Sequence, residues 1–236
     1  HTMLFSATLS ADVLNLSDKY MKDAVEINCE SKVDPSKLTQ IYYDVPDNMK
    51  FSLFVHLIKK DHSGLVMVFC NTQRNTDLIA RNLKKFGLKT LAIHGGYSQN
   101  KRSRALSDFH SNKIDVLVCT DVAARGLDIK GVSHVYNYDI PKETNQYIHR
   151  IGRTARAGKD GKAVSILASR DYDNFKALLS KEDVKIENTE LPEFEKVFID
   201  LRSSGSRDDR RGRFGGRDQR GRGGYDRGSR DRGGNR

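Results

Sequence analysis

Val116-Leu117-Val118-Cys119-Thr120-Asp121, running on into Val122-Ala123-Ala124-Arg125-Gly126-Leu127-Asp128-Ile129, is the stretch that decides the fold. The four apolar residues in a row mark a buried strand, expected over Asp115–Thr120, which belongs in a parallel sheet. The strand passes straight into a turn of small residues that carries Thr, Arg, Gly and Asp. In an open α/β sheet, ligands gather where such loops leave the carboxyl ends of strands.

Strand and helix patterns alternate on both sides of this stretch. Upstream, the sequence predicts a strand end at Met3–Ser6, a helix over Ser10–Met21 and an extended segment over Leu38–Val45. An amphipathic helix follows at Asp47–Lys60, then a strand over Leu65–Cys70, a helix over Thr72–Phe86, a strand over Thr90–His94 and a helix over Ser98–Ser111. Downstream, strands are expected at His134–Tyr138 and Ala163–Ala168, and helices at Glu143–Ala157 and Asp171–Ser180. Strands separated by helical segments imply βαβ units, hence an α/β domain with a mostly parallel sheet.

The 236 residues suit one domain and a tail. The longest wholly apolar run, Leu65–Cys70, falls far short of the ~20 residues a membrane helix needs. No basic region opens the chain, so no signal peptide is expected, and a start at His1 suggests a piece of a longer protein. Cys29, Cys70 and Cys119 are far apart in apolar surroundings and read as reduced core residues of a cytoplasmic protein, with the nucleus an alternative in a eukaryote. From Ser203 to Arg236 there are 11 Arg against 5 Asp, so the tail holds +6 of the net +10. Its Arg/Gly composition, broken only by Phe214 and Tyr225 as aromatics, offers too little apolar surface to fold. A basic tail on a mildly basic domain points to a polyanion partner, and its lack of bulky apolar residues speaks against a membrane.

About thirty residues after the opening stretch stands His149-Arg150-Ile151-Gly152-Arg153-Thr154-Ala155-Arg156. On a helix at roughly 100° per residue, His149, Arg153 and Arg156 fall within an arc of about 60°. Arginines at i, i+3 and i+6 repel one another, and the guanidinium fork fits phosphate oxygens, so the cluster reads as a phosphate clamp. A solvated basic helix face is the plainer alternative.

Together these segments resemble motifs V and VI of the superfamily 2 helicases, and His149 in the pattern HRxGRxxR looks like the DEAD-box RNA helicases. Ser6-Ala7-Thr8 resembles motif III, Val68-Phe69-Cys70-Asn71-Thr72-Gln73-Arg74 motif IV, and His94-Gly95-Gly96-Tyr97-Ser98-Gln99-Asn100-Lys101-Arg102 the HGxxxQxxR element, all in family order. The resemblance implies a RecA-like three-layer domain over residues 33–201. It makes residues 1–8, with Ser6 and Thr8, a remnant of a first RecA-like domain, 9–32 the end of that domain and a linker, and 202–236 a disordered RGG-rich RNA-binding tail.

The implied activity is the C-terminal half of an ATP-dependent RNA helicase. Asn71, Thr72, Gly95, Gly96, Gln99, Arg102 and Thr120 would meet the RNA sugar–phosphate backbone, while Gly126 and Asp128 would hold ATP. Arg153 and Arg156 would act as arginine fingers on the γ-phosphate. Arg125 and Arg150 are expected to pair with carboxylates and support the site with His149. Plainer readings stand beside these: Asn71 or Thr72 caps its helix, Gly95 and Gly96 form an ordinary turn, and Asp128 pairs with an arginine of the cluster. Gly96 stands where the family often has an acidic or amide residue, and Ala155 where it often has Gly. No G-x-x-x-x-G-K-[ST] loop and no Asp-Glu-Ala-Asp occurs, so Mg²⁺ and half of the ATP site would belong to a first domain acting in cis. The competing readings are a DNA helicase of the same superfamily and an RNA-binding or chaperone module without ATP chemistry.

Overall fold

A computed structural model describes residues 2–6, 11–27, 35–61, 64–125, 127, 129, 131–156, 158–181 and 184–201. Thr8, Cys29, Gly126, Asp128 and the Arg/Gly tail lie outside the described residues. Residues 1–199 make up one unit and 200–236 a second.

The strands are Leu38–Asp44 (β1), Leu65–Phe69 (β2), Thr90–Ile93 (β3), Val116–Cys119 (β4), Val132–Asn137 (β5), Gly161–Leu167 (β6) and Glu187–Asn188 (β7). They form one sheet in the order β3-β4-β2-β5-β6-β1-β7, and every neighbouring pair is parallel. The helices are Ala11–Tyr20 (α1), Lys50–Lys60 (α2), Gln73–Lys85 (α3), Gln99–His110 (α4), Asp121–Ala124 (α5), Thr144–Ile151 (α6) and Tyr172–Leu179 (α7).

The two-residue period of the strands sorts their side chains into layers. Val66, Val68 and Cys70 join Val116 and Val118 beneath α2 and α3, where Leu53, Phe54 and Ile79 are fully buried. Met67, Phe69, Leu117 and Cys119 face the opposite side with Phe109 of α4 and Ala123 and Ala124 of α5. Tyr147 and Ile151 of α6 and Phe175 and Leu178 of α7 continue that side against Ala163 and Leu167. Helices on both faces of a parallel sheet make the expected three-layer α/β domain. Cys70 and Cys119 are free, buried and on opposite faces of the sheet, which accounts for their reduced state.

Two expectations need correction. Met3–Ser6 is not a strand: it has no regular structure, and Phe5 is 86% exposed. A strand needs a neighbour to pair with, and this segment joins no sheet here. The arginine helix is also shorter than expected. It ends at Ile151 with Gly152 as C-cap, and Arg153–Arg156 continue as turns. Ala155 has φ +53, which no helix accommodates. The 60° arc therefore does not exist as a helix face.

Candidate nucleotide and nucleic-acid site

The loops that carry the sequence motifs leave the carboxyl ends of β2, β3 and β4 side by side, as the sheet order requires. At their centre lies Arg150, 1% exposed. Its Nε and Nη2 donate to the two carboxylate oxygens of Asp121, both at 2.7 Å. Nη1 donates to the Asp139 carbonyl at 2.6 Å and to Asn137 Oδ1 at 3.3 Å, and Nη2 also donates to Asn71 Oδ1 at 2.9 Å. The guanidinium lies 5.2 Å from the Phe69 ring centroid. A buried cation is tolerated only when its charge and its donors are satisfied, and all five donors have an acceptor here. The expected pairing of Arg150 with a carboxylate is present.

Arg125, His149 and Arg153 line a small concavity with Phe69, Asp121 and Gln146. Among the described residues its one lining carboxylate, Asp121, is committed to Arg150. Burial holds the His149 imidazole below its ordinary pKa, and the charges of Arg125 and Arg153 lower it further. The concavity is therefore electropositive, which favours an anion. Arg153 Nη1 donates to the Leu127 carbonyl at 2.7 Å, anchoring it to the loop after β4. Arg156 is exposed, and its Nε donates to the Gly152 carbonyl at 2.5 Å.

The turn bearing Arg153 sits against the start of β6. Thr154 Oγ1 donates to the Val132 carbonyl at 2.7 Å, and a Cβ at Gly161 would overlap Thr154 Oγ1 and the Ala155 nitrogen. Close approach to the sheet thus falls to Gly161, a residue that the helical reading had no reason to single out.

On the β2 and β3 side, Thr72 caps α3 by accepting from the Asn75 N–H at 3.1 Å. Asn71 is held at three atoms: its N–H donates to Asp139 Oδ2, its Nδ2 to the Ile140 carbonyl, and its Oδ1 accepts from Arg150. Gly95 and Gly96 are exposed in the turn after β3, and Gln99 and Arg102 follow on α4. Arg102 donates to Gln99 Oε1 at 3.3 Å and to the Ala123 carbonyl at 3.2 Å, which brings α4 beside the loop of Thr120. The Arg102 Nε is buried without a partner among the described residues. Thr120 is nearly buried, and its backbone N–H donates to the Ile93 carbonyl.

Sequence reasoning missed Asp121 and Asp139 as counterparts. Asp139 takes the Asn71 N–H, Asn75 Nδ2 at 2.7 Å and Arg170 at 3.0 Å. An acidic residue just past a strand was the available signal. Among the described residues no group of His, Cys, Asp and Glu is placed to hold a metal.

Residues 49–158 match the model of the helicase conserved C-terminal domain. The DEAD-box ATP-dependent RNA helicase CshA of Bacillus licheniformis is 37% identical over 198 residues, which are 84% of this chain and 41% of that protein. The chain thus spans less than half the length of this relative. A structure of the Escherichia coli DEAD-box protein SrmB bound to the regulator of ribonuclease activity A is 35% identical with a TM-score of 0.62, over 71% of this chain and 95% of that one. Saccharomyces cerevisiae Dbp5 bound to RNA and ADP BeF3 is 28% identical with a TM-score of 0.69, over 78% of this chain and 50% of that one.

Proposed function

This chain belongs to the DEAD-box proteins as their C-terminal, RecA-like helicase domain, and from that premise we propose that it is half of an ATP-dependent RNA helicase. ATP would lie between this domain and a first RecA-like domain carrying the phosphate loop. RNA would cross the loops after β2, β3 and β4. The observation that carries the reading is the concavity lined by Arg125, His149 and Arg153, where Asp121, the one lining carboxylate among the described residues, is taken by Arg150. The Dbp5 relative with RNA and ADP BeF3 supports the choice of both ligands.

Arg153 and Arg156 would face the γ-phosphate, where a guanidinium stabilises charge that develops as the phosphoryl group transfers. The bond from Arg153 to the Leu127 carbonyl fixes its guanidinium beside the loop after β4, and the exposure of Arg156 would let it reach across a domain interface. Gly126 and Asp128 complete this side in the proposal. Mg²⁺ would be held by the first domain. Val122 at 75% and Ile148 at 46% exposure, on the helices flanking the concavity, are apolar surface that such a domain would cover.

The RNA side comprises Asn71, Thr72, Gly95, Gly96, Gln99, Arg102 and Thr120. Contacts to phosphate and sugar grip a strand without reading its bases. The Asn71 amide is oriented by its bonds to the Ile140 carbonyl and Arg150, which leaves one N–H for a phosphate or sugar oxygen. Arg102, anchored to Gln99 Oε1 and the Ala123 carbonyl, would carry its positive charge to the RNA beside Thr120. The tail, 202–236, would add sequence-independent affinity through its arginines and through stacking on Phe214 and Tyr225.

The test is turnover. This chain alone should hydrolyse no ATP, whereas the two-domain protein should be stimulated by RNA. In the two-domain protein, Arg156→Ala should lower turnover by about 10³-fold or more with ATP affinity nearly unchanged. Robust hydrolysis by this chain alone, or unaltered turnover in Arg156→Ala, refutes the assignment.

A further inference from the structure

His94 opens the turn that carries Gly95 and Gly96. It is 5% exposed, and both of its ring nitrogens are engaged. The Gly96 N–H donates to Nδ1 at 3.1 Å, and Nε2 lies 3.0 Å from Asp77 Oδ2. A peptide N–H can only donate, so Nδ1 must be the unprotonated acceptor. A carboxylate can only accept, so Nε2 must carry the hydrogen. The two neighbours fix one neutral tautomer.

The surroundings reinforce that choice. The Tyr97 hydroxyl donates to the other Asp77 oxygen at 2.9 Å. Burial and the Asp77 contact push its pKa up to about 12, which keeps it a donor. The rings of His94 and Tyr97 lie 4.2 Å apart. The Tyr97 N–H closes the turn by donating to the His94 carbonyl at 3.1 Å. Gly96 is held so tightly that an added Cβ would lie 2.9 Å from Gln73 Oε1 and 3.1 Å from two ring atoms of His94. The missing side chain at Gly96 thus answers to this packing, and its N–H is spent inside the protein. A strand contact at this turn then falls to Gly95.

We propose that His94 is a positioning residue for RNA binding, whose Nδ1 acceptor fixes the Gly95–Gly96 turn in the conformation that meets the RNA backbone. Gln73 and Asp77 both belong to α3, the helix capped by Thr72, while the turn leads into α4 with Gln99 and Arg102. The imidazole therefore locks two RNA-facing elements into one surface. The inference rests on the RNA-facing reading of that surface.

Two isosteric substitutions separate the ring nitrogens. His94→Asn places a carbonyl oxygen near the Nδ1 position and keeps an acceptor for Gly96. His94→Gln places an amide N–H near the Nε2 position, keeping the Asp77 bond and losing the acceptor. Tyr97→Phe removes a neighbouring bond to Asp77 without touching Gly96, and serves as a stability control. The full chain would be measured for amide exchange at Gly96 by NMR and for affinity to a uridine oligonucleotide. Loss of one such hydrogen bond should speed Gly96 exchange about tenfold and weaken RNA binding about fivefold in His94→Gln. His94→Asn and Tyr97→Phe should stay within about twofold on both measures.

Unchanged Gly96 exchange in His94→Gln overturns the proposed hydrogen-bond role. So does equal weakening of RNA binding by His94→Gln, His94→Asn and Tyr97→Phe, which would mark a general packing effect. Arg102→Ala distinguishes the underlying reading. If Arg102→Ala weakens RNA binding and His94→Gln does not, positioning fails while the RNA face stands. If neither weakens it although exchange at Gly96 accelerates, the RNA-facing assignment itself fails.

Discussion

The three arginines of one short motif are predicted to differ sharply when removed. Arg150 is 1% exposed and gives all five donors to Asp121, Asn137, Asp139 and Asn71. Arg150→Ala would leave the Asp121 carboxylate, itself only 20% exposed, without its cation, strand three further acceptors and open a hole beside Phe69. Breaking a buried pair by removing one partner costs about 3–5 kcal/mol. For a domain of this size each kcal/mol moves the melting temperature by roughly 2–4 °C, so a fall of about 6–20 °C is expected. Arg150→Lys should recover only part of it, because one ammonium with three donors cannot span acceptors arranged for a planar fork. Arg153→Ala and Arg156→Ala, at half-buried and exposed positions, should each melt within about 3 °C of the parent. Thermal denaturation followed by circular dichroism, in low salt and in 0.5 M salt at about a third of the low-salt Debye length, measures all four. An Arg150→Ala protein that melts with the parent, or a deficit that vanishes in high salt, would refute the buried-hub reasoning.

His149 supplies a prediction with a sign. Burial, Arg125 and Arg153 hold its folded-state pKa below the unfolded value, so the unfolded chain binds the proton more tightly. His149 therefore destabilises the fold as pH drops through and below about 6.5, and has no such effect above it. Pyrophosphate in the concavity should raise the His149 titration midpoint measured by NMR, and a midpoint indifferent to pyrophosphate would argue against an anion site there. For the tail, truncation after Leu201 should weaken binding to unrelated RNAs by similar factors and flatten its salt dependence. A loss confined to one RNA sequence would contradict a nonspecific role.

The sheet was readable because buried parallel strands leave continuous apolar runs, and β2 and β4 begin or end within a residue of the expected limits. The end of α6 was not, although its signal was present. His149 and Arg150 occupy the last turn and Gly152 follows, the usual punctuation of a helix C-terminus. The reading carried the periodicity of the cations past that stop, because charge spacing looks alike on a helix and in a turn. The roles of Asn71 and Gly96 were hidden for another reason. Arg150, the partner of Asn71, lies 79 residues away, and Gln73, which packs against Gly96, sits on α3, so both meet their neighbours only when the chain folds. Chemistry-bearing residues were thus legible as a set, while the division between those that meet ligands and those that hold others in place was not.

That division bears on how ATP and RNA would influence each other. Arg150 touches the loop after β4 through Asp121, the end of β5 through Asn137 and Asp139, and the loop after β2 through Asn71. The first of these flanks the proposed ATP side and the last the proposed RNA side. A shared hub could transmit a change only if it had a second arrangement of comparable energy. With every donor of a buried guanidinium satisfied, any rearrangement within the domain would strand charge and cost several kcal/mol, about 3–5 for loss of the pair alone. The hub therefore ties the ends of β2, β4 and β5 to one another, which would present the two proposed faces in fixed relation. In the proposed two-domain protein, coupling would then come from how this domain and a first RecA-like domain close upon each other, with each ligand favouring the closed arrangement that the other also needs.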